Sequence, residues 1–159
     1  MQVVWTQPFS WGLLLAYDAV GPFETPGLDR SGRIVATDTC LAVPVLHSAD
    51  VEIPEDARPD DVLSPAQVTL TVLVEEPFSE PAEFAGRLRC RSGRLVLGDA
   101  DSHRVVQVAP GDLHVLVARD AGQHSRTVGI ALRTASAQRP LLRGARRSYY
   151  ALSRSANDK

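Results

Sequence analysis

Residues 87–118 constrain the fold of this chain more than any other stretch. Their sequence, RLRCRSGRLVLGDADSHRVVQVAPGDLHVLVA, contains four short segments of alternating apolar and polar residues, separated by three turn signals. Alternation with a period of two is typical of a strand that buries one face. Pro110-Gly111 favours a type II turn, because Pro suits its second position and Gly tolerates the positive φ of its third. We therefore predict an antiparallel meander here, to which the rest of the chain adds strands.

Five segments outside this stretch also predict strands. The clearest is residues 67–75, in which four apolar residues share one face: Val68, Leu70, Val72 and Val74. The others are residues 2–6, 11–18, 33–47 and 126–133, of which 11–18 is expected to be central and 33–47 to form one bent strand or two short ones. No stretch up to residue 133 repeats with the helical period of 3.6. The predicted fold class is therefore all-β, an antiparallel and jelly-roll-like β-sandwich.

The chain divides into two predicted parts. Residues 1–135 are expected to form one sandwich domain, which suits a chain of 159 residues. Residues 136–159 form a basic tail that is helical or disordered. As a helix, the tail would place its apolar residues near one face and its arginines on the other, a pattern that can bind nucleic acid, a membrane surface or a partner. The alternative is a tail that is frayed or docked on the chain's own acidic body.

Composition indicates the cellular location that we expect for this protein. No apolar run approaches the roughly 18 residues of a membrane span, and the first ten residues lack the pattern of a secretory signal. We therefore expect a cytoplasmic protein without membrane contact. Sixteen of the 17 basic residues are arginine, a bias typical of GC-rich bacteria. Cys40 and Cys90 lie in apolar runs and are expected to be reduced, buried thiols, with a disulfide as the alternative.

The charge distribution points to a binding function. From Arg139 onward there are six cations and one anion, a net charge of +5, while residues 1–138 hold 11 cations and 18 anions, a net charge of −7. Residues 50–65, here called the acidic segment, concentrate this charge. We expect a solvated loop that steers a basic partner, because the spacing of an EF-hand calcium loop is absent. Its carboxylates are the predicted partner-binding residues: Asp50, Glu52, Glu55, Asp56, Asp60 and Asp61.

Aromatic residues concentrate in the first 25 positions, where most are expected to pack in the core. An aromatic side chain exposed beside the acidic segment would instead serve as an anchor for a protein partner. Trp11 and Phe23 are the candidates for this role.

Catalytic and metal-binding motifs are weak. The chain contains no G-x-S-x-G, no H-E-x-x-H and no phosphate-binding loop, so we expect a protein that is not an enzyme and needs no cofactor. Asp18 or Glu24 could pair with a histidine as acid and base, but the spacing favours no pair. The alternative function is a small-ligand or metal-binding sandwich with an enzymatic role. Its site would combine two carboxylates with two histidines that flank the Pro-Gly turn: Asp99, Asp101, His103 and His114.

Parts of this layout resemble a known family. The shared pattern begins with LLLAYDAVGPFE and continues, after a polar middle, with RLRCRSGRLVLGDA and VVQVAPGDLHVLVA. Over about residues 11–120 it is similar to the small β-sandwich competence protein ComJ, an inhibitor of a DNA-entry nuclease. The resemblance implies a non-enzymatic binding protein. Together with the acidic body, it leads us to expect an inhibitor or immunity-type protein that acts on a basic nuclease. The resemblance carries over no functional residue, and the basic tail lies outside it.

Overall fold

The computed structural model describes residues 1–28, 31–51 and 66–135. These residues form ten strands and two single turns of 3-10 helix, at Ser48–Asp50 and Gly122–His124. The strands are β1 (Gln2–Pro8), β2 (Leu13–Asp18), β3 (Val35–Ala36), β4 (Cys40–Pro44), β5 (Gln67–Val74), β6 (Phe84–Cys90), β7 (Arg94–Gly98), β8 (His103–Gln107), β9 (Gly111–Arg119) and β10 (Thr127–Thr134). No helix in the described part of the chain is long and apolar enough to cross a membrane.

Two five-stranded sheets build the domain, and the prediction of an all-β sandwich is confirmed. One sheet has the order β1-β5-β10-β9-β6 and the other the order β3-β4-β2-β7-β8. Strand β2 is central, as predicted. One pair departs from the antiparallel pattern, since β10 runs parallel to β5. A short connection joins β9 to β10, and these two strands run antiparallel. The other edge of β10 pairs with β5, and these two strands run parallel.

The four strands of residues 87–118 are present, but the predicted meander is wrong. β6 pairs with β9 in one sheet, whereas β7 pairs with β8 in the other. The chain therefore crosses between the sheets at Ser92-Gly93 and returns after Val108. The two crossings contact each other, because the Val108 N–H donates to the Gly93 carbonyl at 2.9 Å. A turn signal between alternating segments is the same for a hairpin and for a connection between sheets, so the sequence could not separate them.

The core lies between the two sheets and contains the apolar face of nearly every strand. Val68, Leu70, Val72 and Val74 of β5 are all buried, as their alternation predicts. Residues 33–47 form two short strands, and Pro44 ends the second of them. Cys40 and Cys90 are buried free thiols, which confirms that prediction. Burial of each large aliphatic side chain contributes about 1.5–3 kcal/mol, so this core is the main source of stability.

Two predicted features lie outside the described residues. One is the basic tail of residues 136–159, with the nucleic-acid contact considered for it. The other is residues 52–65, which include five of the six carboxylates of the acidic segment. The proposed division into a domain and a tail stays a prediction.

Candidate functional site

Three turns converge at one end of the sandwich and enclose a cleft of about 280 Å³. They are residues 9–13 between β1 and β2, residues 47–51 after β4, and residues 122–125 between β9 and β10. We call this space the Trp11 cleft. The side chains that give it its chemical character are Trp11, Leu28, His47, Asp50, Gln123 and His124.

Backbone hydrogen bonds fix the turns against one another. The Ser48 N–H donates to the carbonyl of Phe9 at 3.1 Å, and the Val45 N–H donates to that of Gly12 at 2.9 Å. The third turn is joined through the Leu46 N–H, which donates to the Ser125 carbonyl at 3.1 Å. The walls of the cleft are therefore held by main-chain contacts that do not depend on a ligand.

Gly12 shapes the turn that carries Trp11, a lining residue of the cleft. Its φ of +61° lies in the left-handed region that glycine adopts most readily. A Cβ at this position would lie only 2.8 Å from the Cβ of His47. A larger residue would strain the turn and push it away from His47, so Gly12 lets the turn that carries Trp11 lie close to the turn that begins at His47.

Polar side chains from the other two turns also line the cleft. The Asp50 carboxylate lies 3.7 Å from Nδ1 of His124, an ion pair when that imidazole is protonated. Nε2 of His124 contacts the Gln123 amide at 3.2 Å. His47 is engaged with its own turn, since its Nδ1 accepts a hydrogen bond from the Ala49 N–H at 2.9 Å. Asp50 is thus the carboxylate that the cleft presents to solvent.

The two tryptophans have opposite environments. Trp5 is 5% exposed, and its indole N–H donates to the Gln7 side chain at 3.0 Å. Trp11 is 65% exposed. The structure therefore brings together two predicted partner-binding residues, Trp11 and Asp50, in one cleft. Five further predicted residues, Glu52, Glu55, Asp56, Asp60 and Asp61, lie outside the described residues.

Phe23, the other aromatic candidate, is not part of the Trp11 cleft. Its ring stacks on Tyr17 with the centroids 4.0 Å apart, and it is 41% exposed. It follows the Val20–Pro22 loop, which lines a second groove of about 470 Å³. The aromatic residues near the N-terminus therefore divide between two surfaces and the core.

Asp18 lies at the second groove and has a structural role. Its carboxylate accepts hydrogen bonds from the N–H groups of Val20 and Ser92, each at 3.0 Å, and a further one from the Ser92 hydroxyl. Burial raises the pKa of Asp18, but these hydrogen bonds outweigh burial and leave the pKa below its ordinary value. The Asp18 carboxylate is therefore ionised and already engaged by three hydrogen-bond donors. This does not suit the acid–base role considered for Asp18.

The proposed metal site of four residues is not assembled. Asp99 is buried and accepts hydrogen bonds from the N–H groups of Ser10, Asp101 and Ser102 at 2.9–3.1 Å, so it caps the β7–β8 turn. His103 begins β8 in one sheet, whereas His114 lies in β9 of the other. The expected hairpin between them is absent. Within residues 1–28, 31–51 and 66–135, no three His, Cys, Asp or Glu side chains are grouped for a metal ion.

Much of the negative charge of residues 1–138 comes from the residues that follow Asp50 in the sequence. Residues 52–65 contain five carboxylates and one arginine, a net charge of −4. The described residues contain 12 carboxylates and nine arginines, a net charge of −3. More than half of the net charge of −7 therefore belongs to 14 residues that begin two positions after Asp50.

The functional residues that the sequence did not indicate are Gln123 and His124. They come from a Gly-containing turn more than 70 residues after Asp50, with no recognisable spacing. Leu28 was also missed, since it lies in a loop rich in Gly and Pro. Only the pairing of the sheets brings these side chains to one place.

Comparison with known proteins supports the fold. No protein-family model matches the chain, and no curated protein matches its sequence. Among solved structures, the chain is similar to ComJ from Bacillus subtilis, described as an inhibitor of the DNA degrading activity of NucA. The TM-score is 0.52 at 8% identity, over 84% of this chain and 98% of ComJ. A second similar structure, that of Crocagin biosynthetic gene J, has a TM-score of 0.43 at 14% identity, over 84% of this chain and 96% of its own. The resemblance to ComJ predicted from the sequence is confirmed at the level of the fold.

Proposed function

We propose that this protein is a non-enzymatic binding module of the bacterial cytoplasm that inhibits a nuclease by docking on it. The observation that carries the proposal is the exposed Trp11 in the same cleft as the Asp50 carboxylate. Tryptophan is strongly enriched among residues that dominate binding energy, and such residues cluster in pockets that partners fill. An indole left 65% exposed on a fixed turn is suited to this use.

Charge supports a basic partner. The acidic segment starts in the cleft at Asp50 and adds five more carboxylates over the following residues. A nuclease must attract the phosphates of DNA and therefore carries positive charge around its catalytic cleft. A negative surface on the inhibitor would accelerate association with that cleft and occupy it in place of DNA. The fold shared with an inhibitor of a DNA-degrading nuclease supports the same choice of partner.

The buried carboxylates support a role without catalysis. Asp18 and Asp99, the two buried acids of the described residues, each accept three hydrogen bonds from neighbouring turns. Both therefore act in holding the loops that surround the grooves.

The test is a DNA-degradation assay with a lysate of the source bacterium. Increasing amounts of the purified protein should lower the rate of cleavage of a fluorescent DNA duplex. The inhibition should weaken at about 0.5 M salt, where the Debye length falls to about 4 Å. Trp11→Ala should raise the concentration needed for half-inhibition about tenfold or more.

Two exposed residues away from the cleft provide matched controls. Val4→Ala shortens an apolar side chain that is 53% exposed on β1, and Asp38→Asn removes a carboxylate that is 83% exposed. Both variants should inhibit as the unmodified protein does. If the protein leaves DNA cleavage unchanged at every concentration, or if Trp11→Ala inhibits equally well, the proposed function is wrong.

A further inference from the structure

We infer that the Trp11 cleft is a receptor for an arginine side chain of the partner. This inference rests on the proposed function and specifies what its binding site recognises. The cleft combines an exposed indole, an aliphatic wall that includes Leu28, and the carboxylate of Asp50. None of its described lining residues is an arginine or a lysine. The Arg119 guanidinium donates to the Gly32 and Pro44 carbonyls of the wall, but its charge is paired with that of Glu83.

The Asp50 carboxylate is available to a cation. It is 51% exposed, and its contact with His124 is 3.7 Å long, which exceeds the range of a hydrogen bond. Both oxygens can therefore accept hydrogen bonds from an incoming donor. A carboxylate with two free oxygens matches the parallel N–H groups of a guanidinium, which gives a bidentate pair.

The indole favours arginine over lysine. A planar guanidinium stacks on an aromatic face and is less strongly hydrated than an ammonium group, so it loses less on leaving water. Tryptophan is the aromatic residue that attracts cations most strongly. The protein itself contains such a pair, since the guanidinium carbon of Arg104 lies 5.6 Å from the Trp5 ring. The volume of about 280 Å³ accommodates one long side chain.

The acidic segment makes a partner the source of this arginine. A basic nuclease presents arginines at the surface that contacts DNA phosphates. The negative charge that begins at Asp50 would orient that surface towards the cleft before contact. The arginine then supplies the anchor, and the acidic segment supplies the steering.

The experiment uses single amino-acid derivatives as probes. The full-length ¹⁵N-labelled protein is titrated with N-acetyl-L-arginine N-methylamide, while the indole N–H signals of Trp11 and Trp5 are followed by NMR. The Trp11 signal should shift and saturate in the millimolar range, and the Trp5 signal should not move. The citrulline derivative, which has the same shape without the charge, should bind about fivefold more weakly.

Variants separate the charge from the pocket. Asp50→Asn should remove the preference for arginine over citrulline, and the control Asp38→Asn should retain it. Equal affinity for arginine and citrulline, or an unchanged preference in Asp50→Asn, would overturn the inference.

A third variant tests the chain's own tail as the occupant. If only the protein with Arg143, Arg146 and Arg147 replaced by glutamine binds the probe, the tail fills the cleft and the partner arginine is rejected. Saturable binding of arginine without nuclease inhibition would leave this inference standing and reject the proposed function. Nuclease inhibition without arginine binding would reject this inference and leave the proposed function standing.

Discussion

The guanidinium of Arg119 is held by the carboxylate of Glu83, with Nε 2.8 Å from Oε2 and a second hydrogen bond from Nη2 to Oε1. The Arg119 side chain is only 2% exposed. Its Nη1 donates to the carbonyls of Gly32 at 3.1 Å and Pro44 at 2.9 Å. Both acceptors line the Trp11 cleft. One residue of β9 therefore ties two segments of the cleft wall to the opposite sheet.

Replacing Arg119 with lysine should destabilise the fold by about 2–3 kcal/mol. Lysine keeps the charge but lacks the planar fork that reaches three acceptors at once, and each buried acceptor that loses its donor costs about 1–3 kcal/mol. Urea unfolding measures the difference. The control Arg87→Lys, at an exposed position of β6, should change stability by less than about 0.5 kcal/mol. A loss no greater in Arg119→Lys than in this control would contradict the role assigned to Arg119.

Stability should fall in acid partly through Glu83. The hydrogen bond from Arg119 lowers the pKa of Glu83, burial opposes it, and the charge of Arg119 lowers the pKa further. Because the folded pKa is below the unfolded value of about 4.3, this contribution is present above that pH and is lost as the pH falls through the folded pKa.

Glu83→Gln is the variant that tests this origin. Urea midpoints between about pH 3 and pH 6 should depend less steeply on pH in the variant than in the unmodified protein. The effect should be modest, since the Glu83 side chain is 44% exposed and solvent screens it. Asp18 retains the same direction of pH dependence in both proteins. If the urea midpoints of the two proteins depend on pH to the same extent, Glu83 is not a source of the loss of stability in acid.

Gly98→Ala should disrupt the β7–β8 turn. A Cβ at Gly98 would lie 2.2 Å from the carbonyl oxygen of Ser102, a distance that requires the backbone to move. We expect a loss of more than about 2 kcal/mol, since overpacking typically costs 1–3 kcal/mol and strain adds to it. Gly111→Ala is the matched control, because Gly111 also has positive φ, at 125°, but no atom within 4 Å of the added Cβ. Thermal unfolding of both proteins compares them, and equal losses would refute the steric explanation.

The Cys40 thiol should be unreactive in the folded protein. Burial raises the pKa of Cys40 to about 11, and burial followed by the charge of Asp18 raises that of Cys90. The thiolate is the reactive species, so at about pH 8 a disulfide reagent such as Ellman's should react slowly without urea and rapidly with it. If both thiols react with the reagent immediately in the folded protein, they are not buried.

The strands were predictable because each buries one face, and the period of two follows directly from that requirement. β5 is the clearest case, since its four predicted core residues are all buried. The sheet in which a strand lies was not predictable. Ser92-Gly93 looks like a hairpin turn, and the Gly93 N–H donates to the Cys90 carbonyl as such a turn requires. It nevertheless connects strands of different sheets, and its further hydrogen bonds join it to Asp18 and Val108, which no local pattern indicates.

The candidate site, like the fold, was predictable in part. Trp11 belongs to the concentration of aromatic residues near the N-terminus and Asp50 to the acidic segment, so composition and charge indicated both, each as one member of a larger set. The cap formed by Asp99 had a local signal, since an Asp two or three residues before turn N–H groups commonly accepts from them. Arg119 had none, because two of its partners are backbone carbonyls that any residue would supply.

Fluorescence quenching should separate the two tryptophans and test the exposure on which the proposed site depends. Acrylamide reaches an indole by collision, so Trp11, 65% exposed, should be quenched several-fold more efficiently than Trp5, which is 5% exposed. Trp5→Phe reports Trp11 alone, and Trp11→Phe reports Trp5 alone. Circular dichroism checks that Trp5→Phe, which leaves the Gln7 carbonyl without its indole donor, keeps the fold. If both variants are quenched equally while folded, Trp11 is covered in solution, and the anchor that defines the cleft is already occupied.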